Sequence, residues 1–263
     1  MGNLAYILRA VWVLIVCLQL IVLATMTARK QFRDLLALYL YLCLTLCETP
    51  VLYGIYALFG YQSWTAYYAG WISQAVAVSA RWFVVCQLCY LVLGQFRGIW
   101  GIAWRILTVC GGAVLFLALV LGGHDVVRAV NTFDLALELS IATVLAVFFG
   151  FARYYEVQMA PSLRSIGIAF CLYSCFRTMN DAILQKFLHE YSNTWTLFDG
   201  ITYVATLALI ASAVFLMQRL PAKQVRLLPA HAYAIIAPQV NERLSALNSR
   251  LSALLNAKGP RKP

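Results

Sequence analysis

The chain has 263 residues, 63% of them hydrophobic and only 11% charged, with a formal net charge of +10. A soluble domain carries roughly 25% charged residues, so this chain cannot clothe itself in a solvated surface. Apolar runs of about 18 residues or more recur along it, which reads as a polytopic, all-α integral membrane protein in a lipid bilayer. The positive charge carries no zinc-finger spacing and no aromatic RNA-binding motif, so no nucleic acid is expected as a partner.

Seven membrane helices are read in chain order, at about 10–28, 35–59, 69–94, 102–121, 132–152, 165–187 and 198–218. They form a transmembrane domain over 1–220, followed by a cytoplasmic tail over 221–263. The first helix follows Arg9 but lacks a small-x-small cleavage site, so it is read as a retained span. The loop behind it carries Arg29, Lys30 and Arg33, whereas the next, "YQSWTAYY", has no charge. Arg97 and Arg105 mark the third connection, and Arg153 and Arg164 the fifth. The opposite side offers only Arg128 and Lys186. Basic residues thus alternate from loop to loop, which places the N-terminus outside and the C-terminus in the cytoplasm. Trp64, Trp71 and Trp195 suit the outer interface, and Trp100 and Trp104 the inner one.

The second and sixth helices share a fragment. Leu40, Tyr41 and Cys43 recur as Leu172, Tyr173 and Cys175, 132 residues further on, and Trp64 matches Trp195 at a shift of 131. Both helices run outward, so a parallel three-plus-one-plus-three repeat is allowed, with the fourth helix as connector.

Charges inside these spans need a reason, because a central Arg or Asp costs about 2.5–3.5 kcal/mol to insert. Glu48, Arg81, Arg177 and Asp181 are expected to face the bundle interior and one another, two acids against two bases. Helical spacing agrees. Ser174, Arg177, Thr178, Asp181 and Gln185 form one stripe on the sixth helix. Thr45, Glu48 and Thr49 cluster on the second, and Gly70, Ser73, Gln74, Ala77 and Arg81 on the third. The seventh adds Asp199, Thr202, Tyr203 and Thr206. Asp134 and Glu138 are read as opening the fifth helix at its outer end. The candidate buried network or ligand cavity is therefore Glu48, Gln74, Arg81, Arg177, Asp181, Asp199 and Tyr203. Two readings stay open: a structural ion-pair network that fixes helix register, or an outward-facing cavity for a solute, ion or proton.

No catalytic residue, metal site or cofactor is indicated. "HEYSN" at 189 lacks the second histidine of a zinc-protease motif. His124, His189 and His231 lie in loops or tail, which leaves no bis-histidine haem site. The last helix has no lysine for a retinal Schiff base. All eight cysteines fall in apolar segments, and the Cys86–Cys89 CxxC reads as packing. In the tail, "ERLSALNSRLSALLN" repeats RLSAL and sets Leu244, Leu247, Leu251 and Leu254 on a short heptad seam, a candidate oligomerisation element. The alternative for that helix is to lie on anionic lipid through Arg243 and Arg250.

From "RAVWVLIVCLQLIVLATMTARKQFRDLLALYLYL" to "ALIASAVFLMQRLP" the chain resembles a group of small bacterial seven-helix membrane proteins that occur as many paralogues. The shared traits are the first helix, the basic first loop and the Leu/Tyr-rich second helix. That resemblance implies no activity and no binding residues. The layout also looks like the three-plus-one-plus-three arrangement of SWEET-type transporters. The leading expectation is a non-enzymatic, self-associating membrane protein, sensor- or scaffold-like, as a homo-oligomer or a subunit of a membrane complex. The alternative is a small-solute transporter or channel built on the same polar core.

Overall fold

The computed structural model describes residues 2–60, 63–94, 97–123, 125–154, 157, 159–187, 192–217 and 249, without the side chains of 2–5, 97–98, 182–187 and 192–195. The chain divides into two compact units, Met1–Leu220 and Pro221–Pro263. The tail seam of Leu244, Leu247, Leu251 and Leu254 lies outside the described residues.

Among the described residues the first unit is entirely helical: α1 (Gly2–Ala28), a 3-10 turn (Gln31–Arg33), α2 (Leu36–Phe59), α3 (Trp64–Leu93), α4 (Arg97–Gly122), α5 (Val126–Tyr154), α6 (Pro161–Phe187) and α7 (Ser192–Leu216). Helices are the solution a hydrocarbon solvent allows, since every backbone N–H and C=O bonds within its own segment. Six of the seven are long and apolar enough to cross a membrane; α6 is the exception. Its stripe of Arg177, Thr178, Asn180 and Asp181 lowers its mean hydropathy, and those groups turn inward. All the helices but α2 begin before their sequence-based spans, α3 by five residues and α5 by six. The second of these differences decides where the acids lie.

Six helices close into a ring in the order α1, α2, α3, α5, α6, α7 and back to α1, with α3 and α6 also touching across the middle. The fourth helix stays outside, packed on α5 and less extensively on α3. At Gly111 of α4 a Cβ would come within 3.2 Å of the Trp82 indole nitrogen, so this glycine serves close packing within the chain. Gly112 meets nothing within 4 Å.

The connection rich in arginine and lysine also ties helix ends together. Gln31, 3% exposed, donates from Nε2 to the carbonyls of Val214 at 3.3 Å and Met217 at 3.0 Å. Both carbonyls lie at the described end of α7, where helix ends leave acceptors that side-chain donors can satisfy. Arg29 donates to the Phe215 carbonyl at 2.6 Å and lies over the Phe215 ring, placing a cation at a helix C-terminus. Gln87 accepts from the Ala37 N–H at 2.8 Å, near the first turn of α2. Between this end and the polar level lies an apolar layer of fully buried side chains, among them Met26, Leu42, Val85, Leu145, Ile166 and Val214.

Candidate functional site

The ring holds one polar axis, and each of its helices contributes. Deepest is the ion pair of Arg81 on α3 with Glu138 on α5, whose side chains are 4% and 0% exposed. Ser174 on α6 donates to the second oxygen of Glu138 at 2.6 Å. The Arg81 guanidinium also lies over the Tyr173 ring, 4.9 Å from its centroid, which gives the cation a further partner.

Towards the end away from the basic loops, Arg177 on α6 forms a hub. It faces Asp134 on α5 at 3.3 Å, Asp199 on α7 at 3.6 Å and Asp181, one turn along its own helix, at 3.8 Å. Gln74 on α3 donates to the same Asp134 oxygen at 2.6 Å. Exposure rises along this path, from Asp134 at 1% through Arg177 at 18% and Asp181 at 23% to Asp199 at 29%. The axis thus opens gradually at one end and is dry at the other.

The remaining ring helices join through hydroxyls and amides. Tyr203 on α7 lies 3.3 Å from the Tyr41 hydroxyl of α2 and accepts from Gln19 of α1 at 3.0 Å. Gln19 also donates to Thr45 at 3.1 Å. Tyr173 and Tyr203 pack with ring centroids 5.4 Å apart. Among the described residues α4 supplies no member of the axis.

Six of the seven candidate residues therefore come together: Gln74, Arg81, Arg177, Asp181, Asp199 and Tyr203. Glu48 stands apart. It accepts from Ser73 at 2.7 Å and joins neither arginine in an ion pair. The expected balance of Glu48 and Asp181 against Arg81 and Arg177 is accordingly replaced by a different set. Asp134 and Glu138, placed by the sequence at the mouth of the fifth helix, are its most deeply buried acids, because α5 starts at Val126 and carries them about two and three turns inward. Their i,i+4 spacing in an apolar helix was the signal that could have found them. The Tyr41–Tyr173 pair, used only to argue a repeat, also belongs to the axis.

Among the described residues no group of three His, Cys, Asp or Glu side chains is arranged to hold a metal ion. All eight cysteines are free, and Cys89 is buried in the apolar core. An apolar cleft of about 480 Å³ lies on the flank between α2, α3 and α4, lined by Leu40, Phe83, Tyr90, Trp100 and Trp104 among others, and none of the charged axial residues reaches it.

Compared with family models, with curated proteins and with solved structures, the chain gives no match. Its function is therefore argued from the geometry of the axis.

Proposed function

We propose that the protein is a non-enzymatic, self-associating subunit of a bacterial inner membrane, sensor- or scaffold-like, whose polar axis is reached from the outer face only. Its helical, apolar character makes it an integral membrane protein, and in this reading all seven helices cross, α6 included. The N-terminus is then outside and the tail cytoplasmic, as the alternation of basic loops requires. One observation carries the reading: the axis opens at Asp199 and Asp181 but ends on the dry Arg81–Glu138 pair above an apolar layer. Such an arrangement can register a ligand from one side and pass the change to helix packing, while a through-path is closed. Self-association falls to the tail seam, whose leucines are too few to hold a helix alone.

A second reading is favoured by the order of the ring. Exchanging α1, α2 and α3 with α5, α6 and α7 leaves the ring adjacencies unchanged, as a parallel repeat would require. Tyr41 and Tyr173, equivalent under that shift, both approach Tyr203. Alternating access around such a repeat would make the protein a small-solute transporter caught open to one side.

Flux separates the two. Purified protein is reconstituted in liposomes loaded with a pH-sensitive dye, and a proton gradient is imposed with and without a membrane potential. The sensor reading expects internal pH to follow that of protein-free vesicles. Dissipation that disappears on breaking the Arg81–Glu138 pair by Glu138→Gln replaces it with the transporter reading.

A further inference from the structure

The axis carries more negative charge than its cations match. Among the described residues, Asp134, Glu138, Asp181 and Asp199 pair with Arg81 and Arg177 alone. Arg81 is committed to Glu138, so three carboxylates share the single guanidinium of Arg177. The other titratable groups turned towards this region among the described residues are phenols: Tyr41 from α2, Tyr173 from α6 and Tyr203 from α7. From α1 comes the neutral Gln19, and from α3, beside Arg81, the neutral Gln74. Carboxylates left unmatched in a low-dielectric interior are costly, and the usual response is to bind a cation.

The oxygens of the cluster point to the kind of cation. Asp134 Oδ1 and Asp199 Oδ1 are buried without a hydrogen-bond partner, although the opposite oxygen of each faces Arg177. Asn180, 5% exposed and one turn from Arg177, also has a buried Oδ1 with no donor. Beside them the donors Arg177 Nε and Thr178 Oγ1 are buried without a hydrogen-bond partner as well, so these three acceptors outnumber the spare donors and call for an added N–H or O–H. Yet these oxygens expose essentially no surface, so a solute could reach them only by parting the helices. A proton needs no such space, and it turns one acceptor into a donor.

We propose that the outer end of the axis is a proton-binding site, in which Asp134, Asp181 and Asp199 around Arg177 keep at least one proton at neutral pH. This rests on the reading of the axis as a site approached from one face, and names its ligand. Asp181 and Asp199 are the partly open members, where hydronium can deliver a proton and leave as water. One O–H bond forms on a carboxylate oxygen and the charge of the cluster rises by one. Asp134 is the closed member. Arg177 holds α5 through Asp134 and α7 through Asp199, so a proton on Asp199 weakens the 3.6 Å attraction that ties α7 to α6. Proton binding thereby changes how α7 is held, which is the output a sensor requires.

The test is infrared spectroscopy of the full chain in lipid nanodiscs, unlabelled and with ¹³C-carboxyl aspartate, from acid to mildly alkaline pH. The expected result is a C=O stretch of a protonated carboxyl at neutral pH, moved by the aspartate label and by deuterium exchange. At least one of Asp134→Asn, Asp181→Asn and Asp199→Asn should remove it. Absence of any label-sensitive band at neutral pH in the wild-type chain overturns the proposal, and that reading stands even if the variants fail to fold. A label-sensitive band that survives in three folded Asn variants overturns it as well. One-sided access to the axis is read separately, by cysteine labelling. No band with one-sided labelling intact removes the proton and keeps the closed axis, whereas a band with labelling from both faces does the reverse.

Discussion

Arg81→Ala isolates the dry end of the axis. The substitution leaves Glu138, fully buried, with Ser174 as its remaining hydrogen-bond partner, and strips the cation from the face of Tyr173. Removing one partner of a buried ion pair costs about 3–5 kcal/mol, because the other charge stays behind without compensation. For a chain of this size about 1 kcal/mol moves a melting temperature by about 2–4 °C, so a fall of about 6–20 °C is expected. The double variant Arg81→Met, Glu138→Met should behave very differently. It removes both charges and keeps most of the volume, and such replacements are often neutral or stabilising by about 1–4 kcal/mol. The Ser174 hydroxyl can then turn to the Phe170 carbonyl one turn back. Thermal unfolding in nanodiscs, followed by tryptophan fluorescence, measures all three proteins. A single variant as stable as wild type, or a double variant no better than the single, would refute the dry pair.

Other contacts carry further expectations. Arg177→Ala leaves Asp134, Asp181 and Asp199 without their shared cation; its loss of stability should shrink as pH is lowered and carboxylates take up protons, a trend that a pH series of melts would detect or deny. Gln31→Ala abandons two buried carbonyls at the end of α7 and should cost about 1–3 kcal/mol in the same assay. Gly111→Leu drives a side chain into Trp82 and should loosen α4 from the ring, seen as faster hydrogen exchange confined to α4; exchange unchanged from wild type would mean that the contact is dispensable. Deleting residues 239–263, or placing Asp at Leu247 and Leu251, should yield a smaller particle by light scattering corrected for detergent, and unchanged mass would remove the tail as the assembly element.

Much of the architecture was legible in the sequence, because a membrane helix announces itself by length and hydropathy. The polar stripe of the sixth helix was also legible, since Arg177 and Asp181 stand out against apolar neighbours and their spacing fixes a common face. The identity of their partners was not. Pairing across helices depends on axial level, and a six-residue error in the start of α5 moved Asp134 and Glu138 from the core to the mouth. Glu48 was misassigned for a related reason: its place in the second helix gives depth but not which neighbour it faces, and that neighbour is Ser73. Helix order is equally hidden in the apolar pattern, and only the repeat, with the fourth helix as its connector, set α4 apart from the others.

Access decides whether the axis opens to one face. Single cysteines at Asp199, Thr206 and Val214, in a chain otherwise free of cysteine, sample its mouth, its middle and the apolar layer in turn. Each is treated in sealed vesicles of known orientation with a membrane-impermeant thiol reagent, applied from either side. Labelling at 199 from the outer face alone, with 206 and 214 protected from both, is the predicted result. Labelling at 214 from the cytoplasmic face, or at 206 from both, would contradict a one-sided axis.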